Sequence, residues 1–215
     1  MSSLRITEIF YSLQGESLTQ GKPTVFVRLT GCPLRCSYCD TAYAFSGGRV
    51  VSLEDILDQV RDYGCEFVTV TGGEPLAQPD CRLLLERMAE SGMKVSLETS
   101  GALDVSGIDP RVTLILDIKT PGSGEVSRNI YDNLLMLKPA ADQVKFVLTD
   151  KNDYEWAKMK IDEFSLTNIV SEVLMSPVWE RLNPADLAAW ILQDRLQVRM
   201  QIQLHKVLWG NKPGV

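Results

Sequence analysis

Residues 67–101 read FVTVTGGEPLAQPDCRLLLERMAESGMKVSLETSG. FVTVT (67–71) is rich in β-branched and aromatic residues, which suits a pleated strand. PDCRLLLERMAESG (79–92) reads as a helix, with Pro79 near its start and Gly92 past its end. KVSLET (94–99) reads as a strand again. Strand, helix, strand is the unit that builds a parallel sheet, because two parallel neighbours need a crossover between them. Working outward, the alternation continues. TVFVRL (24–29), VTLILDI (112–118), QVKFVLT (143–149), IVSEVLMS (169–176) and VRMQIQLH (198–205) read as strands. SLEDILDQVRDYG (52–64) reads as a helix with Ser52 and Asp55 at capping-box spacing and Gly64 as a stop, and helices fit near 130–137, 151–163 and 184–196. Six or seven strands in 215 residues are too few for a closed eight-stranded barrel, which takes about 250. The expectation is α/β: an incomplete, open barrel of parallel strands with outer helices, in a single domain over residues 1–215.

Composition bounds the function. Hydrophobic residues make up 45% and charged residues 23%, and the formal net charge is -6. That balance speaks against a basic nucleic-acid surface. The N-terminal MSSLRITEIFYSLQGE lacks the apolar core of a signal peptide, and no run approaches the roughly 18 apolar residues of a membrane span. The expectation is a soluble cytoplasmic protein without nucleic-acid or membrane partners, in which clustered thiols are metal ligands or redox groups and not disulfides.

In parallel α/β folds ligands lie at the C-terminal ends of strands. Five such ends carry unusual residues: GCPLRC after TVFVRL, GGEP after FVTVT, TSG after KVSLE, KTPG after LILDI and SPVW after IVSEVLM. The first belongs to GCPLRCSYCDTAY (31–43), which places Cys32, Cys36 and Cys39 within eight positions. Sulfur ligands favour zinc, copper(I) or iron–sulfur clusters. A structural zinc needs four ligands, and the segment has three and no histidine; His205 is the one histidine in the chain. Three thiolates suit a 4Fe–4S cluster with one iron left open, whereas an electron-transfer cluster takes four. Cys65 and Cys81 stand alone and read as small core residues.

CPLRCSYC is a CxxxCxxC motif, and it resembles that of the radical SAM enzymes; VTVTGGEP (68–75) looks like their glycine pair. Across nearly the whole chain, ITEIFYSLQGE (6–16), FVRLTGC (26–32), CDTAY (39–43), VTGGEP (70–75), LETSG (97–101) and QLHKVLWG (203–210) resemble the 7-carboxy-7-deazaguanine synthases. The resemblance implies a lyase that contracts 6-carboxy-5,6,7,8-tetrahydropterin to 7-carboxy-7-deazaguanine with loss of ammonia, on the route to queuosine. A 5′-deoxyadenosyl radical takes the C6 hydrogen and returns it, so S-adenosyl-L-methionine (SAM) is regenerated. A 4Fe–4S cluster, SAM and Mg²⁺ are the implied cofactors, with a flavodoxin or ferredoxin as electron donor and a homodimer as assembly. A glycyl-radical activase would share cluster and SAM, and a non-enzymatic iron–sulfur or zinc module would share the cysteines alone.

The resemblance assigns residues by position. Cys32, Cys36 and Cys39 would hold the cluster, and Thr41 the magnesium. Tyr38, Cys39, Asp40, Gly72 and Gly73 fall at SAM-contacting positions, glycine letting backbone carbonyls come close to a ligand. Asp117 and Lys119 match a Ser-Pro-Lys SAM-contacting segment in which the lysine alone is shared, and Ser176, with the Pro-Val-Trp after it, falls on another such loop with different residues. Leu13, Gln14 and Gly15 match a pterin-binding stretch, Glu16 would pair with the amino-pyrimidine edge, and His205 matches a histidine near the family's C-terminus. Arg28 is a charge inside an apolar strand and needs a partner; its guanidinium fits the substrate carboxylate, and a structural ion pair is the competing reading. Thr71 and Glu98 end neighbouring strands and point into the same mouth, with Glu98 as the candidate proton shuttle as well as a substrate contact.

Overall fold

The computed structural model describes residues 2–212 and 214–215. Nine strands form one sheet: β1 (Ser3–Leu13), β2 (Pro23–Leu29), β3 (Arg49–Ser52), β4 (Phe67–Gly72), β5 (Lys94–Thr99), β6 (Thr113–Asp117), β7 (Gln143–Leu148), β8 (Glu172–Pro177) and β9 (Arg199–Met200). Their spatial order is β3-β1-β2-β4-β5-β6-β7-β8-β9. From β2 to β9 every neighbouring pair is parallel, whereas β1 runs antiparallel to β2 and to β3. This is the expected incomplete barrel, extended by two antiparallel strands at its N-terminal edge. The helices are α1 (Leu53–Asp62), α2 (Cys81–Glu90), α3 (Lys151–Glu163), α4 (Leu166–Ile169), α5 (Pro184–Asp194) and α6 (Leu204–Trp209). None of the described helices is long and apolar enough to cross a membrane.

Strand periodicity divides the sheet into two chemistries. Successive side chains point to opposite faces. Val25, Val27 and Leu29 of β2, Val68 and Val70 of β4, Val95 and Leu97 of β5 and Val144, Phe146 and Leu148 of β7 all join the main apolar core. There they meet Ile56 of α1, Leu84 and Met88 of α2, Tyr154 and Ala157 of α3 and Leu187 of α5. The alternate positions face inward, and they are largely polar: Arg28, Thr69, Thr71, Ser96, Glu98, Asp117, Gln143, Lys145 and Ser176. Helices therefore cover the outer face, and the inner face becomes the ligand chamber.

Helix termini follow local rules. Ser52 caps α1, its hydroxyl accepting the Asp55 amide at 3.1 Å. Asp150 caps α3 through the Asp153 amide at 3.0 Å, and Asn183 caps α5 through Ala185 at 3.0 Å.

Besides β3, which no expected strand covers, and β8, which starts at Glu172 and not at Ile169, three segments depart from the sequence reading. β1 was not among the expected strands, because its alternation is broken by a register shift between Ile6 and Glu8. Leu4 and Ile6 face the core before the bulge and Ile9 after it, so the phase reverses. The helix expected near 130–137 is a 3₁₀ turn, Tyr131–Met136. Its buried Asn133 side chain accepts from the Val105 amide at 3.1 Å and donates to the carbonyls of Gly101 and Leu103, so the backbone follows that loop and not an α-helical register. The strand expected over 198–205 pairs only at Arg199 and Met200. Gln201 then turns inward, accepting from the Ser17 amide at 2.8 Å and donating to Ser176 at 3.0 Å, and α6 begins at Leu204.

The mouth of the barrel is tied by Glu74, fully buried after β4. Its carboxylate accepts from the Leu76 amide at 3.0 Å, Thr99 Oγ1 at 2.8 Å, the Ser100 amide at 2.7 Å and the Ser100 hydroxyl. Glu74→Ala strands these donors out of water. We expect it to cost about 3 kcal/mol or more of folding stability, read by urea unfolding, while Glu54→Ala on the exposed face leaves the urea midpoint close to wild type.

Candidate active site

The C-terminal strand ends and the loop after β1 enclose a cavity of about 420 Å³. Of the residues singled out from sequence, Leu13, Gln14, Gly15, Glu16, Arg28, Cys32, Cys36, Tyr38, Cys39, Asp40, Thr41, Thr71, Gly72, Gly73, Glu98, Asp117, Lys119 and His205 all line it. Ser176 does not: it lies deeper on β8, where its hydroxyl accepts from Gln201. The wall there is made by Val178, Trp179 and Glu180 of the same loop.

Cys32, Cys36 and Cys39 sit half-buried on the loop after β2, and all five cysteines are free thiols. Burial pushes the Cys36 thiol up to about 11 and raises Cys32 and Cys39 as well. The thiols are thus protonated, and a metal must displace three protons to bind them. Among the described residues no three His, Cys, Asp or Glu side chains gather tightly enough for a single metal ion. A four-iron cluster fits the donor set better, since each thiolate binds a different iron and no fourth cysteine lines the cavity. Cys81 is buried in α2, and Cys65 donates to the Pro23 carbonyl away from the site.

The glycine pair packs directly on this loop. A Cβ at Gly73 would stand 2.3 Å from the Gly31 carbonyl oxygen and 2.7 Å from the Cys32 Cβ; one at Gly72 would stand 2.4 Å from the Leu29 carbonyl oxygen. Beside them Asp117 carries the one buried side-chain oxygen without a hydrogen-bond partner among the described residues, Oδ1. Its other oxygen lies 2.9 Å from Lys119 Nζ. An unmatched acceptor in the cavity that the three thiols also line suits the donor groups of a SAM molecule. The Tyr38 ring lines the same region, its hydroxyl 3.5 Å from the Val147 carbonyl.

The opposite wall is built for a flat polar ligand. The 14–20 loop turns into the barrel, and Gln14 is 2% exposed. Its amide donates to Thr69 at 3.0 Å and lies 3.5 Å from Glu98. Glu16 pairs with Lys145 Nζ at 2.7 Å, and its other oxygen accepts from Gln203 at 2.9 Å. Burial alone would raise the Glu16 carboxyl, but the Lys145 charge and its hydrogen bonds hold it below the usual range. Glu98 has no cation of its own, and burial, reinforced by Glu16 and Asp117, raises it. This wall thus holds one ionised carboxylate, Glu16, and one inclined to keep its proton, Glu98.

Arg28 makes the structural ion pair of its sequence reading. The bulge in β1 sets Glu8 directly opposite it, and Arg28 Nε donates to Glu8 Oε1 at 2.7 Å. Tyr43 donates to the same oxygen at 2.8 Å. The ion pair uses only Nε, so the two terminal nitrogens remain for a ligand in the cavity, over the stacked Phe10–Phe26 pair. Thr41 donates to Asp40 at 2.7 Å at the rim.

His205 stands in the first turn of α6 and not at a strand end. Gly15 makes room for it, since a Cβ there would lie 2.1 Å from His205 Nδ1. Burial lowers its pKa, so the ring is neutral. Sequence reasoning missed Lys145 and Gln203. Lys145 was legible by the argument applied to Arg28, a cation inside an apolar strand; Gln203 carried no signal, because its segment read as a strand.

Comparison with known proteins now adds to this geometry. The radical SAM superfamily model matches residues 26–116. A 7-carboxy-7-deazaguanine synthase of Koribacter versatilis is 41% identical over 220 residues, covering 96% of this chain and 97% of that one. One from Chlorobaculum tepidum is 44% identical over 209 residues, covering 96% and 94%. The chain belongs to the 7-carboxy-7-deazaguanine synthase family. The fold agrees: the crystal structure of QueE from Escherichia coli superposes with a TM-score of 0.77 at 23% identity, covering 94% of both chains. Streptococcus suis SuiB bound to S-adenosylmethionine superposes more loosely, with a TM-score of 0.54 over 80% of this chain and 44% of that one. Within the synthase family frame, the cavity is the candidate active site.

The fit of Gly15 to His205 is testable. Gly15→Ala forces the ring and α6 off the 14–16 loop. We expect hydrogen exchange of the Leu204–Trp209 amides to accelerate while that of β4 and β5 is unchanged; unaltered exchange in α6 would show that the ring is not held there.

Proposed function

We propose that the chain converts 6-carboxy-5,6,7,8-tetrahydropterin to 7-carboxy-7-deazaguanine with loss of ammonia, the radical SAM step that leads to queuosine. One observation supports this most directly. Every residue read from sequence as a cluster, SAM, magnesium or pterin contact, except Ser176 and Pro177, lines the same cavity.

Cys32, Cys36 and Cys39 would hold the 4Fe–4S cluster, and Gly72, Gly73, Tyr38, Asp40, Asp117 and Lys119 the SAM. Together these cofactors supply the 5′-deoxyadenosyl radical that removes the C6 hydrogen and later returns it. The protein's own part is binding and proton handling. The free fork of Arg28 takes the substrate carboxylate in a paired, charge-assisted contact, held in orientation by Glu8 and Tyr43. Ionised Glu16 accepts from the adjacent N–H groups of the amino-pyrimidine edge. The Gln14 amide and the His205 ring contact the remaining polar atoms. Glu98, raised by burial, is the group able to give and retake a proton during ring contraction. Thr41 would offer Mg²⁺ a hard oxygen, the ligand type this cation takes. The reading also carries an external one-electron donor of the flavodoxin or ferredoxin type, a homodimer and a cytoplasmic location.

The deciding experiment is anaerobic incubation of reconstituted protein with SAM, reductant, Mg²⁺ and the carboxypterin. Mass spectrometry should find the deazaguanine with SAM unconsumed; stoichiometric SAM cleavage without that product would sink the proposal. Arg28→Ala removes the fork and strands Glu8. It should weaken carboxypterin binding by about 2–5 kcal/mol while the SAM-perturbed cluster signal in electron paramagnetic resonance persists. Arg28→Lys, which keeps the charge without the fork, should fall between the two. Glu98→Gln keeps the hydrogen-bonding shape and loses the transferable proton. Turnover should drop by roughly 10²-fold or more with substrate affinity within several-fold of wild type; equal turnover would remove Glu98 from proton transfer.

A further inference from the structure

Lys145 is a fully enclosed cation that none of these roles uses. It projects inward from β7, 7% exposed, and lines the cavity. Three carboxylates surround it: Glu16 from the loop after β1, with Nζ to Oε2 at 2.7 Å; Asp117 from β6 at 3.8 Å; and Glu98 from β5. Asp117 already has Lys119 at 2.9 Å, and Arg28 is engaged by Glu8 at 2.7 Å. Lys206 of α6 lies toward Asp40, at 3.8 Å, so among the described residues Lys145 is the cation left to serve Glu16. The other neighbours of Glu16 are neutral, Gln203 donating at 2.9 Å and the His205 ring beside it. Each Glu16 oxygen then has one protein donor and keeps a lone-pair direction for a ligand.

We propose that Lys145 is a positioning residue of the substrate site: it holds the Glu16 carboxylate charged and aimed, and thereby decides how tightly the amino-pyrimidine edge is gripped. This rests on the reading of the cavity given above. Without Lys145, three buried carboxylates would share one spot with no cation to spare. Glu16 would take up a proton, and a neutral carboxyl cannot accept two N–H donors as an ionised one does. The sign is definite. Loss of the cation raises the Glu16 pKa, so the competent, ionised form returns only as pH rises.

The test is anaerobic binding of 6-carboxytetrahydropterin to the cluster-loaded protein with SAM, from mildly acid to mildly alkaline pH. Lys145→Met should weaken binding roughly 30-fold or more near neutrality, recovering as pH rises, whereas wild type stays flat over the same range. Lys145→Arg should restore affinity to within several-fold and abolish the pH dependence. Lys145→Met with Glu16→Gln removes both charges, and should bind weakly at every pH; it also serves if the single variant fails to fold. The SAM-perturbed cluster signal should be unchanged throughout. A Lys145→Met protein with wild-type affinity and profile overturns the proposal. So does weakening that is equal at every pH and not rescued by arginine, or pH-dependent binding in the double variant. If wild type itself does not bind the carboxypterin, the proposed function falls and this inference with it, a result separable from failure of Lys145 alone.

Discussion

The buried ion pair between Glu16 and Lys145 joins the loop after β1 to the middle of the parallel sheet, 129 positions further along the chain. Placing two charges inside a barrel costs several kcal/mol per ion unless geometry and further hydrogen bonds compensate. Here they do: Gln203 satisfies the second Glu16 oxygen, and Gln14 accepts the Glu16 amide while donating to Thr69. Breaking one side would cost about 3–5 kcal/mol, much more than any exposed pair on the helices contributes. Segments that otherwise have little apolar reason to approach, the 14–20 loop and the 201–205 segment, are drawn into the barrel by this requirement.

The same economy of pairing organises the rest of the chamber. Lys119 takes Asp117, Glu8 takes Arg28, and Glu74 gathers the donors of Thr99 and Ser100. Among the capacities left over are the terminal nitrogens of Arg28 and Oδ1 of Asp117. They stand at different walls of one cavity, near the residues proposed to contact the pterin and SAM respectively. A carboxylate-bearing flat heterocycle and a cationic nucleoside fit these two unmatched groups, as the family's reaction requires.

Much of this was legible in the chain. The unit at 67–101 implies a parallel sheet by connectivity alone, and three cysteines without a fourth partner imply an open-iron cluster by valence. The cysteine spacing, the glycine pair and Arg28 could be read because each is a local rule: ligand number, close backbone approach, or a charge where apolar residues belong. Lys145 obeyed the same rule and was passed over in QVKFVLT, where one lysine among β-formers looks like an ordinary edge residue.

What the sequence by itself determined was the alternation of apolar and polar residues along each strand, and hence which side chains could face a chamber at all. Tertiary structure decided how they pair. The bulge between Ile6 and Glu8 reverses the phase of β1 and brings Glu8 opposite Arg28, a step no period-2 reading contains. The 198–205 segment alternates like a strand, yet ends after Arg199 and Met200. Gln201 and Gln203 find buried partners in Ser17 and Glu16, and the Gly15 carbonyl accepts the Leu204 amide at 3.0 Å. Those partners lie more than 180 residues away, and only folding brings them within hydrogen-bond reach.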